Sequence, residues 1–81
     1  MHFLYILRSL KDNKLYIGVT NNIVRRLNEH NTGKSKSTKH RVPFILIYKE
    51  NFTNKGLAMK REWLFKNTSE SNKLMRALIE D

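Results

Sequence analysis

Three side chains that could act on a phosphodiester lie within the first 30 residues of the sequence. Tyr16 is followed by Arg26 ten residues later and by His30 four residues after that. A guanidinium matches two phosphoryl oxygens, an imidazole titrates near neutral pH, and a phenol can hold or transfer a proton. These groups can bind or cleave a phosphate ester if the fold brings them together.

A predicted β-hairpin positions this tyrosine and supplies a second one. Residues 2–9 and 14–19 are apolar and rich in β-branched and aromatic side chains, and the Asp-Asn pair between them favours a tight turn. Because side chains alternate along a strand, a loop with an even number of residues puts Tyr5 and Tyr16 on the same face. An odd loop or a bulge would separate them, and we favour the even loop.

A short capped helix carries the arginine and the histidine. Gly18 is predicted to lie in the turn that ends the second strand, and an asparagine at position 21 or 22 caps a helix that ends near residue 31. Arg26 and His30 stack on one face of this helix, beside the apolar face of Ile23 and Leu27. We therefore expect both side chains to reach outwards from beside the core.

The middle of the chain is predicted to return to the sheet. Residues 32–42 form a polar, basic connection without periodicity, which we expect to be mobile when no ligand is bound. Residues 44–48 then read as a buried strand, with a proline suited to its start. This strand gives the sheet its third member.

Two further helices are predicted to complete an α+β fold. One begins at position 53 or 54, ends near position 66, and is expected to bury Leu57, Leu64 and either Met59 or Trp63; the other begins at position 68 or 69. The prediction is a single domain over residues 1–81. It is an α/β sandwich with a small three-stranded antiparallel sheet flanked by about three helices, in the order β-β-α-β-α-α.

Composition excludes several classes of protein. The 81 residues include no cysteine, so a disulfide framework, a cysteine-zinc cluster and a thiol nucleophile are all excluded. The longest early apolar run, residues 3–7, is far too short for a secretion signal or a membrane span. We therefore expect a soluble, cytoplasmic protein.

Positive charge is concentrated in one part of the chain. The formal net charge is +9, and between Arg25 and Lys49 there are seven basic residues and one acid. Such a field attracts polyanions, so we expect a nucleic-acid partner. The residues expected to bind its backbone are Arg25, Lys34, Lys36, Lys39 and Arg41. The alternatives are a solvated loop that only maintains solubility and an anionic membrane, although no helix combines a basic face with a broad aromatic one.

The order and spacing of these motifs resemble the GIY-YIG nuclease domain. The matching residues are Leu4-Tyr5-Ile6, Tyr16-Ile17-Gly18, Arg26, His30 and Glu62. The resemblance covers residues 2–80 and is to the small stand-alone bacterial members. It departs in the first motif, which is Leu-Tyr-Ile, and in the last helix, where neither Asn67 nor Asn72 clearly stands at the family spacing.

The resemblance implies an endonuclease that hydrolyses phosphodiester bonds in DNA with Mg²⁺ or Mn²⁺, and it implies a role for each residue. Glu62 would be the metal ligand, Tyr16 the general base and Arg26 the contact to the scissile phosphate. His30 would donate or relay a proton, and Tyr5 would position the water or the phosphate. With one carboxylate ligand, the site would bind metal weakly in the absence of nucleic acid.

Each of these residues also has a purely structural interpretation. The tyrosines could be ordinary strand residues, Arg26 could pair with Glu29, His30 could favour the helix C-terminus, and Glu62 could pair with Lys66. The functional alternatives are a non-catalytic nucleic-acid-binding module on the same scaffold and a protein-interaction domain with a basic face.

Overall fold

A computed structural model describes residues 1–67, 73 and 77 of the chain. It contains three antiparallel strands, β1 (His2–Ser9), β2 (Leu15–Thr20) and β3 (Phe44–Phe52), arranged in the order β2-β1-β3. The predicted three-stranded antiparallel sheet is confirmed, and β1 is its central strand. β3 is longer than the predicted strand over residues 44–48.

The β1–β2 hairpin has the even loop that the sequence favoured. Arg8 pairs with Leu15, and the register continues through Leu7 opposite Tyr16 to Tyr5 opposite Gly18. The turn contains a residue with positive φ, Asn13 at 60°, as expected for asparagine in a tight turn. Since Tyr5 and Leu7 point to the same side of β1, both tyrosines lie on one face of the sheet.

Two helices, α1 (Ile23–Asn31) and α2 (Lys55–Asn67), pack on opposite faces of this sheet. Alternating residues of β1 divide the core into two apolar clusters. One consists of Tyr5, Leu7 and Phe44 with Ile23 and Leu27 of α1, and the other of Leu4, Ile6 and Ile17 with Phe65 of α2. The structure therefore shows the order β-β-α-β-α. The predicted third helix falls on residues 68–81, which lie outside the described part of the chain apart from Lys73 and Ala77.

The predicted core face of α2 is wrong. Leu57, Met59 and Trp63 are about half exposed or more, whereas Ala58 and Phe65 are buried. Small Ala58 lets the helix approach the sheet closely, and Phe65 fills the cluster. Between them on this face lies Arg61, whose guanidinium stacks over the Phe65 ring at 4.7 Å and binds Glu50 of β3 at 2.8 Å. A face that includes an arginine is not recognisable from apolar periodicity alone.

The connection between α1 and β3 is more structured than the sequence indicated. It contains a 3₁₀ turn at Lys39–Arg41, and the Arg41 guanidinium binds the Asp12 carboxylate at 2.9 Å. The Asn31 side chain accepts from the Phe44 N–H and donates to its carbonyl oxygen, at 2.6 and 3.0 Å. These contacts join the end of α1 to the hairpin and to β3. Among the described residues, no helix has the length and apolar composition needed to span a bilayer.

Candidate active site

Tyr5 is held across the sheet by a neighbouring glycine. Tyr5 lies on the central strand and is 2% exposed, and its partner on β2 is Gly18. A Cβ atom built on Gly18 would lie 2.6 Å from Cζ of the Tyr5 ring, much closer than carbon atoms approach. The prediction that Gly18 forms a turn is wrong, because it lies inside β2. Its function is to leave space for the phenol.

A chain of hydrogen bonds runs from α1 through Tyr5 and back to the connection. Arg26 Nε donates to the Tyr5 hydroxyl at 3.4 Å, and this hydroxyl is 3.1 Å from His30 Nε2. His30 Nδ1 is in turn 2.8 Å from Oγ1 of Thr38. His30 and Thr38 are essentially inaccessible to solvent. The expectation that His30 reaches outwards from beside the core is therefore wrong. The four-residue spacing of Arg26 and His30 thus brings both side chains within hydrogen-bonding distance of the Tyr5 hydroxyl.

Tyr16 completes this cluster and is more accessible than Tyr5. Its ring meets the edge of the His30 ring with centroids 4.8 Å apart, and it lies 6.3 Å from the Tyr5 ring. The hydrogen bond to Tyr5 is the largest cause of the raised Arg26 pKa, and the Tyr16 phenol is close enough to Arg26 to act in the same direction. The structure therefore brings together four of the five predicted catalytic residues.

Burial sets the charges in this cluster. It raises the pKa of Tyr5 above the ordinary value for a phenol, against the opposing effect of the hydrogen bond from Arg26. It also lowers the pKa of His30, and the nearby Arg26 cation acts in the same direction. At neutral pH the cluster consists of a fixed guanidinium, a neutral imidazole and a protonated Tyr5. The Arg26 guanidinium is thus the positively charged group of the cluster.

Glu62, the fifth predicted residue, approaches from α2. Its half-buried carboxylate is close enough to raise the pKa of Tyr5, although burial of that phenol is the larger cause. Its partner on the helix is Lys66, 3.4 Å away and half exposed. The other acids within residues 1–67 each bind an arginine: Asp12 binds Arg41, Glu29 binds Arg26 and Glu50 binds Arg61. Among the acids of residues 1–67, Glu62 thus differs in being paired with a lysine.

The described residues do not form a preformed cage for a divalent cation. No group of three or more His, Asp or Glu side chains suited to a metal ion occurs in the described part of the chain. Mg²⁺ is commonly bound by one or two carboxylates together with water and phosphate oxygens. Glu62 fits that mode of binding, and it does not fit a preformed cage. The ion pairs expected from the purely structural interpretation, Arg26 with Glu29 and Glu62 with Lys66, are also present. These contacts within a helix do not exclude a role in the site.

The predicted nucleic-acid-binding residues fall into two groups. Arg25, Lys34, Lys36 and Lys39 are exposed. Arg41 is only half exposed, and its guanidinium binds Asp12 and lies 5.5 Å from the centre of the Phe44 ring. Arg41 is therefore engaged in joining the connection to the hairpin and to β3. The other four leave their charges available to a partner.

The exposed cations lie at both ends of α1. The three lysines follow its C-terminus, whereas Arg25 lies in its first turn and borders a cleft of about 390 Å³. Arg26, Glu29, His2 and Lys55 also line this cleft. α1 has nine residues and is about 14 Å long, and it carries Arg26 and His30 of the tyrosine cluster. Basic groups therefore lie at both ends of the helix that contributes to the cluster.

Sequence reasoning missed three residues of this region. Gly18 was visible as a glycine but its contact with Tyr5 was not, because that contact depends on strand register. Lys55 is thirty residues from Arg25 in the sequence, and the two residues are neighbours in the fold because both line the cleft. Thr38 is one of several serines and threonines in a basic loop, and no local signal separates it from them.

Comparison with known proteins agrees with this geometry. Residues 1–75 match the family described as the GIY-YIG catalytic domain, which confirms the resemblance seen in the motifs. The chain is 46% identical over 74 residues to the UPF0213 protein SH2523 of Staphylococcus haemolyticus, covering 90% of this chain and 89% of that protein. It is 48% identical over 73 residues to a UPF0213 protein of Bacillus licheniformis, covering 89% and 74% of the two chains.

A solved structure is similar as well. The solution NMR structure of the UPF0213 protein BH0048 from Bacillus halodurans superposes with a TM-score of 0.55 at 36% sequence identity. The superposition covers 94% of this chain and 81% of that one. The shared fold is therefore accompanied by clear sequence similarity.

Proposed function

Because the chain belongs to the GIY-YIG catalytic domain family, we propose that it is a metal-dependent endonuclease that hydrolyses phosphodiester bonds in DNA with low sequence specificity. The family has a nuclease-type fold and acts on nucleic acids. The observation that carries the proposal is the single cluster in which Arg26, two tyrosines and a neutral histidine converge, with the Glu62 carboxylate within electrostatic range of Tyr5.

Each residue of the cluster has a separate role in the proposed hydrolysis. Arg26 binds the scissile phosphate with the donors of its planar fork that neither Tyr5 nor Glu29 uses, and so neutralises charge on the phosphoryl oxygens. Tyr16, the more accessible phenol, is the general base and in its phenolate form accepts a proton from the attacking water. Tyr5 is too buried to meet bulk water, so it orients the groups around it and exchanges its proton with His30.

Glu62 would hold Mg²⁺ or Mn²⁺ together with water and a substrate oxygen. When bound, the ion would neutralise phosphate charge and make a coordinated water more acidic. Because the protein contributes one carboxylate, metal affinity should rise when nucleic acid is present. The half-buried position of Glu62 beside Lys66 leaves its carboxylate free of the bidentate arginine contact that engages Glu50.

The exposed cations suit binding of the nucleic-acid backbone. Arg25 on one side of the cluster and the lysines at positions 34, 36 and 39 on the other can each contact a phosphate. No aromatic side chain lies between Tyr16 and Phe44 to stack on bases. Binding should therefore depend strongly on salt and weakly on sequence.

The test is a cleavage screen over duplex, single-stranded and branched DNA and matching RNA, with Mg²⁺, Mn²⁺ or a chelator. Tyr16→Phe, Arg26→Ala and Glu62→Ala should each abolish cleavage while the fold is retained. Lys66→Ala is the matched control for Glu62, because it removes the same helix ion pair but leaves the carboxylate. If Lys66→Ala lost activity as fully as Glu62→Ala, or if Glu62→Ala stayed active, the metal assignment would be wrong.

A second candidate is a non-catalytic nucleic-acid-binding module. The observation that favours it is that no group of three or more His, Asp or Glu side chains suited to a metal ion occurs in the described part of the chain, whereas two-metal nucleases use several carboxylates. Salt-dependent binding that survives chelation, without cleavage of any substrate in the panel, would select this function over hydrolysis.

A further inference from the structure

Thr38 is a buried residue in an exposed, basic loop. It is 1% exposed, whereas Ser37 and Lys39 on either side are exposed. It precedes the 3₁₀ turn at the position where a threonine hydroxyl usually caps a helix, yet it makes no side-chain capping bond. The Thr38 hydroxyl is directed instead at His30 Nδ1, at 2.8 Å. The loop folds inwards at this residue.

The hydrogen-bond chain has one consistent direction. The Tyr5 oxygen accepts a proton from Arg26 Nε, so its own proton must go elsewhere. The imidazole nitrogen Nε2, 3.1 Å away, is the acceptor that the buried phenol can reach in the described structure. His30 is neutral, so its one ring proton must then be on Nδ1, where it is donated to Thr38 Oγ1.

We propose that Thr38 is a positioning residue, which fixes His30 in the tautomer whose bare Nε2 accepts the proton of Tyr5. The consequence for catalysis rests on the proposed function. In that reaction the O–H bond of Tyr5 breaks and an N–H bond forms at Nε2, leaving a phenolate held by Arg26 and an imidazolium held by Thr38. Without the Thr38 acceptor, the ring proton moves to Nε2 and Tyr5 has no base.

The arrangement also joins substrate binding to proton transfer. Thr38 lies between Lys36 and Lys39, and the backbone N–H groups of Thr38 and Lys39 both bond to the carbonyl oxygen of Ser35. A phosphate backbone that contacts the two lysines therefore contacts the same turn that sets the His30 proton. The loop contributes both charge and catalytic geometry.

The test uses the near-isosteric Thr38→Val, which removes only the acceptor, and Thr38→Ser, which keeps it. Ring ¹⁵N spectra of the full chain report the His30 tautomer directly, with signals assigned from His2→Gln and His40→Gln variants. In the wild type and in Thr38→Ser, Nε2 should resonate as a bare nitrogen. In Thr38→Val it should resonate as an N–H. Thr20→Val, which removes another buried threonine hydroxyl, should leave the His30 signals unchanged.

Cleavage kinetics provide the second measurement. Thr38→Val should lower kcat roughly tenfold to a hundredfold, the range that follows from one lost buried hydrogen bond, with KM unchanged and Thr38→Ser restoring the rate. If Thr38→Val does not fold, Thr38→Ala tests the same acceptor. A wild-type tautomer in the variant without a hydroxyl overturns the proposal, whether or not the protein cleaves DNA. Absence of cleavage by the wild type counts instead against the proposed function and leaves the tautomer measurement intact.

Discussion

Replacing Gly18 by alanine adds a single methyl group at the point where the site is most tightly packed. The new Cβ would lie 2.6 Å from Cζ and 2.9 Å from Cε1 of Tyr5. Ordinary carbon contacts are about 3.5–4.0 Å, so the phenol or the strand must move by about 1 Å. The phenol cannot simply turn into solvent, because Tyr5 is 2% exposed on the central strand.

The expected cost has two parts. Overpacking a well-filled core typically costs about 1–3 kcal/mol. A displaced Tyr5 hydroxyl would also lose its contacts to His30 and Arg26, and a buried polar group left without a partner costs about 1–3 kcal/mol. Gly18→Ala should therefore lower the free energy of unfolding by about 2 kcal/mol or more. In a domain of this size that corresponds to a fall in Tm of roughly 8 °C or more.

The assay is urea unfolding, with Gly56→Ala as the matched control. Gly56 is exposed in α2, where an added Cβ meets nothing closer than 3.4 Å, so alanine there should stabilise the protein by about 0.5–1 kcal/mol. The double variant Gly18→Ala/Tyr5→Leu should be less destabilised than the sum of its single changes, because leucine lacks the ring atoms that clash. Equal effects of the two glycine substitutions would refute the packing argument.

Two further predictions concern charge. Burial lowers the pKa of His30 in the folded protein, so on acidification the unfolded chain takes up a proton first. The stability that depends on neutral His30 is therefore complete above about pH 6.5, the ordinary pKa of histidine. This stability is lost as the pH falls from there towards the pKa of His30 in the folded protein. Urea unfolding of the wild type and of His40→Gln should both show this loss, and a stability that is constant from about pH 7.5 to 5 would contradict it. Lys36→Ala should weaken DNA binding and reduce the slope of log affinity against log salt by about 1, whereas Arg41→Ala should change that slope little and lower Tm, because its guanidinium already binds Asp12. Equal slopes for the two variants in a fluorescence anisotropy titration would show that Arg41 also contacts phosphate.

Local patterns in the sequence were sufficient for the first half of the site. The Asp-Asn pair predicted a hairpin, and the even loop, which we favoured because it brings the tyrosines together, placed Tyr5 and Tyr16 on one face. The four-residue spacing of Arg26 and His30 likewise placed both on the same phenol. These predictions succeeded because strand alternation and helix periodicity are properties of the backbone, and a nearby turn or cap sets their phase.

The tertiary structure alone decided the contacts between distant segments. The sequence identified Gly18 as flexible, but it is the pairing of β1 with β2 that puts the Tyr5 ring in the space that a side chain at position 18 would occupy. It identified Thr38 and Arg41 as polar loop residues, but only packing buries the first against His30 and engages the second with Asp12. The burial of Ala58 and Phe65 in α2, which places Glu62 near the site, was also decided by packing against the sheet. Residue type and spacing thus determined which groups could react, while long-range packing, which no local period encodes, determined which groups they touch.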